Sequence, residues 1–460
     1  MRAHGTKCLR SALTDEQMSC WNKMFATVTS ESSPVGKKQK SKKRQSVGDA
    51  AETQCDTVFH ILLMHMGLHL FSDPEVACSS IEELECVMKR IEEKAKQRRQ
   101  GSNGDANGGR KKKRASELTI ELEPAEPEWI EVVVDLFLNL LSQNSHLLRN
   151  VIAHLFPHLS SEITLPALNQ ILSVINLKDK SNPLTVPGEE DETIQTALGG
   201  ANPETDTESV DLDELDEEQG RRLDQALTAA FRAFRKKQSA RKRKGPTKAE
   251  KQMDIVLTHF RMRVLDLVDA YLKHEPDMLL CLELMLYIFE MLPVALREES
   301  KYGSILTRYR QIFTTLNRIK KFKRDAEDVR PEQLEQILRD LIEKVAKGAA
   351  FPERNEYLLK ACQFIVICSQ VLGKEAAAGG ASGPNAVDRM FGELLEEFIT
   401  NRNPSLAFSA FQSLFQMQWS GVWHLTGKLV HGGLQVGSVR AIRRIQTLQL
   451  LRELLRNRRL

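Results

Sequence analysis

Histidine pairs spaced four residues apart are the first features of this chain whose chemistry could matter, because on one helix they can grip a single metal ion. His65 and His69 have that spacing, with His60 one turn earlier, and His154 and His158 repeat it. The glutamate of a zinc protease is missing from the first pair, and Pro157 is expected to interrupt the helix between the second. Neither pair is read as a metal site. Gly421 to Lys428 superficially resembles a phosphate-binding loop, but five residues separate Gly421 from Gly427 where four are needed, and Leu429 replaces the hydroxyl that would meet magnesium. The carboxylates of Asp211 and Asp213 could hold metal ions for nucleotidyl transfer, yet they sit among other acids without the strand and turn that would aim them. No catalytic residue, metal, cofactor or small-molecule substrate is therefore expected, and the chain is read as a non-enzyme.

Cations offer more. Four compact clusters stand out: Lys37, Lys38, Lys40, Lys42, Lys43 and Arg44; Arg110, Lys111, Lys112, Lys113 and Arg114; Arg241, Lys242, Arg243 and Lys244; and Arg318, Lys320, Lys321, Lys323 and Arg324. A looser fifth lies on the last helix, at Arg440, Arg443, Arg444, Arg452, Arg456, Arg458 and Arg459. One such cluster is ordinarily a solvated face, whereas five point to nuclear import and polyanion contact. Each phosphate neutralised would add about 0.9 to the slope of log affinity against log salt, and no aromatic stacking motif accompanies the bases to read sequence. Lys113 to Ser116 resembles a basophilic kinase site and Thr205 to Glu208 an acidophilic one, either of which would alter local charge.

The elements that must carry these residues are helical. The chain has 460 residues, 41% of them hydrophobic and 28% charged, with a net charge of only +3 because clusters of opposite sign cancel. That is enough apolar material for two or three domains or one repeat array. Its eight cysteines form no C-x-x-C pair, so the reducing interior of a cell is the expected home. Apolar runs are broken within about a dozen residues, and no membrane contact is expected.

Apolar residues recur at helical spacing in segment after segment, and none shows sustained alternation. Expected helices include 14–28, opened by a Thr14/Gln17 capping box, 56–71, one opened by Ser80 and Glu83, 128–141, 146–156 closed by Pro157, and 165–177. After the middle of the chain they are 212–243, a helix capped by Thr247 and Glu250, 277–296, 305–322, 331–345, 356–372, 387–399, 406–417, 422–430 and 436–455. Helix 56–71, apolar nearly all round, is expected to be covered on both sides. The fold class is all-α, an armadillo- or HEAT-like α-solenoid of antiparallel helices joined by disordered charged linkers. Residues 1–180 form a first helical block with basic linkers at 29–54 and 97–125. An acidic linker spans 181–220, with thirteen acids and no Lys or Arg between Glu189 and Gly220. A second block covers 221–372, a flexible joint 373–384, and a terminal block with a basic last helix 385–460.

Several stretches, in order, resemble the Myb-binding protein 1A family, also called DNA polymerase phi. They are Glu126-Pro-Glu-Trp-Ile-Glu-Val-Val-Val-Asp135, Ser145-His-Leu-Leu-Arg149, Leu165 to Leu172, Leu223 to Phe231, Phe260 to Val268, Asn401 to Ser405 and Phe411 to Phe415. The resemblance implies an armadillo-like protein of the nucleus and nucleolus that takes part in ribosomal RNA synthesis and ribosome assembly and co-regulates transcription. Its implied partners are transcription factors and other nuclear proteins, with ribosomal DNA or pre-ribosomal RNA as nucleic-acid partners. It also implies a carboxyl-side portion of a longer protein, with an acidic linker shorter than usual. The competing reading is a helical-repeat nuclear transport adaptor whose acidic linker acts as an internal decoy for basic cargo.

Overall fold

The computed structural model of the protein describes residues 13–30, 47–101, 127–143, 145–178, 248–319, 321–323, 329–347, 353–378, 385–435 and 439–457. Among these, every regular element is a helix. The chain divides into two compact units, the first ending at Ser173 and the second comprising the segment from Val174 and the helices after residue 247. The predicted helix 212–243 and the acidic linker lie outside the described residues.

The first unit contains α1 (Asp15–Ser30), α2 (Val47–His69), α3 (Pro74–Gly101), α4 (Trp129–Ser142), α5 (His146–Leu159) and most of α6 (Leu165–Val174). The start of α1 is closed as its sequence dictates: Gln17 N donates to Thr14 Oγ1 at 3.3 Å, and Thr14 N donates to Gln17 Oε1 at 3.1 Å. Helix α3 starts earlier than expected. Pro74 occupies its first turn, where a missing N–H costs nothing, and Asp73 Oδ1 accepts from Val76 N. Ser80 is instead a buried mid-helix residue that donates to the Val76 carbonyl. In α2, Leu62, Leu63 and Met66 are buried, but Met64 and Leu68 are exposed, so this helix is covered on fewer sides than its composition suggests. Helix α5 runs through Pro157 to Leu159. A proline so close to a helix end forfeits one backbone bond, which the packing of Phe156 and Leu159 outweighs.

The second unit contains α7 (Lys248–Leu272), α8 (Met278–Arg297), α9 (Glu299–Leu316), α10 (Pro331–Lys347), α11 (Arg354–Ala378), α12 (Ala386–Thr400), α13 (Phe408–Phe415), α14 (Thr426–Leu434) and α15 (Ala441–Arg456). Cross-helix pairs fix their directions. Asp254 meets Lys301, Asp266 meets Arg308 and Asp269 accepts from Thr315, so residue numbers rise together along α7 and α9. Those two helices are parallel, and α8, joined to each by a short turn, runs the other way. The same holds farther along: Glu396 meets Lys428, and Ile399 touches Gly432, making α12 and α14 parallel. In both stretches alternate helices share a direction, as they do in an α-solenoid. Helix α8 is long and apolar enough to cross a membrane by composition, but its Cys281, Leu284, Met285, Ile288 and Leu292 are core residues of this stack.

Candidate functional site

Three of the four compact basic clusters (Lys37 to Arg44, Arg110 to Arg114 and Arg241 to Lys244) lie outside the described residues, as do Lys320 and Arg324. Arg318, Lys321 and Lys323 of the fourth are described. The sequence placed them on a helix reaching Phe322, whereas α9 ends at Leu316 and Asn317 caps it, its Nδ2 donating to the Phe313 carbonyl. The chain then turns, because Ile319 and Phe322 are buried at a spacing of three and Phe322 packs edge-on against Phe364 at 6.3 Å. Lys323 N donates to the Pro276 carbonyl and fastens the far end. Arg318 and Lys321 are left exposed, with Lys323 half-buried, beside the negative end of the α9 dipole, which favours cations there. These apolar anchors hold cations outward in a fixed turn.

The cations of α15 separate into two kinds. Arg443 stacks over Phe398 at 4.3 Å and donates to the Arg402 carbonyl, while Arg444 Nε donates to the Gly433 carbonyl. These two arginines fasten the helix to its neighbours. Arg440, Arg452 and Arg456 are exposed. Arg458 and Arg459 lie outside the described residues.

Histidines of the two pairs, neither read from the sequence as a site, come together. Because α5 continues past Pro157, His154 and His158 share one face, and with His65 they line a cavity of about 420 Å³ floored by Val58, Ile61, Val151 and Leu155. His65 Nδ1 donates to the Ile61 carbonyl at 2.7 Å. Among the described residues, no group of three His, Cys, Asp or Glu is placed to hold a metal ion. Lys428, the residue in the position of a phosphate-loop lysine, donates to the Gly392 carbonyl and to Glu396. Asp211 and Asp213 lie outside the described residues. Burial pushes the Cys362 thiol up to about 12 and raises Cys281 and Cys368 as well, which keeps all three as unreactive core residues.

Two features escaped the sequence. Arg261 is a buried cation whose Nε and Nη2 donate to the carbonyls of Val174 and Asn176 at 3.0 and 2.6 Å. Nothing in the pattern of α7 distinguishes it from a surface arginine. Asp388 is buried and accepts from Trp419 Nε1 at 2.9 Å while completing a capping box with Asn385. The Asn385/Asp388 spacing is a visible cap signal, but its tryptophan partner is thirty-one residues away.

Comparison with known proteins covers both units. A family model described as DNA polymerase phi matches residues 1–195 and 188–272, and one described as Myb-binding protein 1A-like, TPR repeats, matches residues 275–460. Myb-binding protein 1A of Drosophila melanogaster is 28% identical over 405 residues, which cover 74% of this chain and 34% of the fly protein. The Homo sapiens protein of that name is 24% identical over 476 residues, 87% of this chain and 33% of its own length. This chain thus spans about a third of the length of the curated relatives it matches. No solved structure matches it.

Proposed function

The chain belongs to the Myb-binding protein 1A, or DNA polymerase phi, family, and on that footing we propose that it is part of a non-enzymatic nuclear and nucleolar scaffold. Its helical stacks present extended surfaces to transcription factors, of which a Myb-type factor is the one its relatives' name supplies. Its basic segments hold it near ribosomal DNA or pre-ribosomal RNA, and through both it takes part in ribosomal RNA synthesis and ribosome biogenesis. The observation that carries this reading is the order of the two family models, which follow one another along the chain and together take in nearly all of it. The turn at Arg318 and Lys321 supports the polyanion part, since buried Ile319 and Phe322 fix the backbone that carries these cations, so less backbone freedom is lost on meeting a phosphate.

Two measurements test it. Neutralising Lys37 to Arg44, Arg110 to Arg114 and Arg241 to Lys244 together should abolish accumulation of the protein in nucleoli, and unchanged localisation would overturn the reading. Crosslinking in cells followed by sequencing of attached nucleic acid should recover ribosomal DNA or pre-ribosomal RNA. Recovery of neither leaves protein partners alone and removes the nucleic-acid part.

A further inference from the structure

Pro157 does not separate His154 from His158. Helix α5 continues through it to Leu159, so the two histidines stand one turn apart on a single face, about 40° from one another around the helix axis. Both are exposed, and both line the cavity between α2 and α5. Side chains four residues apart on a helix begin about 5–6 Å apart at their Cβ atoms. Two imidazole nitrogens, each about 2.0–2.1 Å from one zinc ion and set at a tetrahedral angle, stand about 3.3 Å apart. Rotation about the side-chain bonds of two exposed rings closes that difference without moving the backbone. The pair on α2 fails the same test. His69 Nδ1 lies 2.8 Å from Ser72 Oγ and its Nε2 is buried, so neither nitrogen of that ring can turn toward an ion shared with His65.

Ligand chemistry identifies the ion. Neutral imidazole is a borderline-soft donor that suits zinc and its transition-metal neighbours, whereas calcium and magnesium call for oxygen ligands, and no carboxylate stands among the residues that line this cavity. We propose that His154 and His158 form a two-histidine chelate for a zinc(II) ion at the mouth of the α2–α5 cavity. Two positions of its tetrahedron are filled by this chain, and the other two are open to water or to a donor atom brought by a partner. His65 lines the same cavity but is not a ligand, since no three histidines, cysteines or carboxylates among the described residues are placed around one ion. An ion held by both rings also spans Pro157, and so ties together the turn in which the proline forfeits a backbone bond.

The test titrates the whole chain with zinc(II) against a chromophoric chelator, its thiols kept reduced by a phosphine. His154→Gln and His158→Gln should each weaken the same single equivalent by more than about tenfold, the loss that removing a supporting hydrogen bond from a metal ligand already causes. His65→Gln should leave that equivalent unchanged. Both ligands are exposed, so the metal-free melting temperatures of their variants should match that of the native chain. Zinc should then raise the melting temperature of the native chain and of His65→Gln, and not of the other two. Cobalt(II) in place of zinc should give visible bands without a thiolate charge-transfer band, and these should vanish in both ligand variants. Zinc bound equally by the native chain and the ligand variants would sink the proposal, because cysteines or scattered histidines would then be holding it. Loss in only one of the two variants would sink the chelate, and an equal loss in His65→Gln would replace it with a three-histidine centre. None of these readouts involves nucleic acid or nucleolar localisation, so this inference and the broader function can fail separately.

Discussion

Arg261 and Glu290 set out the two ways in which this protein uses a charge inside its folded second unit. Arg261 is almost fully buried, and burial lowers its affinity for a proton, though a guanidinium stays charged at any working pH. Two charge-assisted bonds to the Val174 and Asn176 carbonyls compensate the desolvation and hold segment 174–178 in the second unit. Replacing Arg261 by Met keeps much of the side chain's bulk and removes those donors. We expect a loss of about 2–3 kcal/mol in urea unfolding, with Lys restoring only part because its single ammonium cannot reach both carbonyls in the same plane. Glu290 lies nearer the surface, with Lys344 Nζ at 2.6 Å and Lys178 Nζ at 3.8 Å. The hydrogen bond from Lys344 holds its carboxyl below the ordinary 4.5. A depressed carboxylate contributes stability that is present above 4.5 and is lost as pH falls through the lowered native value. Because the group is 43% exposed, the contribution is discounted to below about 1 kcal/mol. Glu290→Gln should therefore be slightly less stable than the native protein at neutral pH, and the two should converge as pH falls through the lowered native value. A difference that persists in acid would show that packing, not charge, is responsible.

At the scale of elements, a close joint lies between the start of α12 and the 3₁₀ turn Ser420–Leu425. A Cβ on Gly421 would stand 2.0 Å from Asp388 Oδ1 and 2.5 Å from Trp419 Nε1, the two atoms whose hydrogen bond closes that joint. Gly421→Ala should cost about 2 kcal/mol or more, since neither the capped helix start nor the buried indole can retreat. The indole emission should shift to the red at the same time, and an unchanged spectrum with unchanged stability would contradict the joint as described. The same glycine looks in sequence like part of a failed phosphate loop, which shows what was legible and what was not. Local signals were readable: the Thr14/Gln17 box opens α1, Pro331 opens α10, and the 3.6-residue period located most helices. Ser80 with Glu83 looked like a start signal equal to Thr14 with Gln17, but Asp73 and Pro74 had already begun the helix, and a capping pattern inside a helix is only a pair of polar residues. The end of α9 was misplaced because Ile319 and Phe322 keep the helical spacing after the backbone has turned. Periodicity reports that a face is apolar without reporting what covers it, so exposed Ile442 and Ile445 of α15 and exposed Met64 and Leu68 of α2 could not be separated from core in the sequence.

Across the whole molecule, a net charge of +3 conceals a division of labour among cations that only their placement reveals. Arg443 and Arg444 stand within a run that reads as a nucleic-acid patch, yet a ring face and two backbone carbonyls occupy them. Arg354 likewise donates to the Val345 carbonyl, and Arg310 grips Glu353 with both ends of its fork. Arg318 and Lys321 are the opposite case, since their buried neighbours Ile319 and Phe322 point them outward. Polyanion affinity should therefore depend on which cations are removed and not on how many. Replacing Arg318 and Lys321 by Gln removes two phosphate contacts, so the slope of log affinity against log salt for duplex DNA should flatten by up to about 1.8, with stability lowered only by their modest interaction with the helix dipole. Replacing Arg443 and Arg444 by Gln removes the same formal charge, and it should leave that slope in place while lowering the unfolding midpoint of the second unit. Filter binding across a salt series, paired with thermal melts of each variant, reads both quantities. If the two double variants flatten the slope equally, charge count governs binding and the turn after α9 has no special part in it.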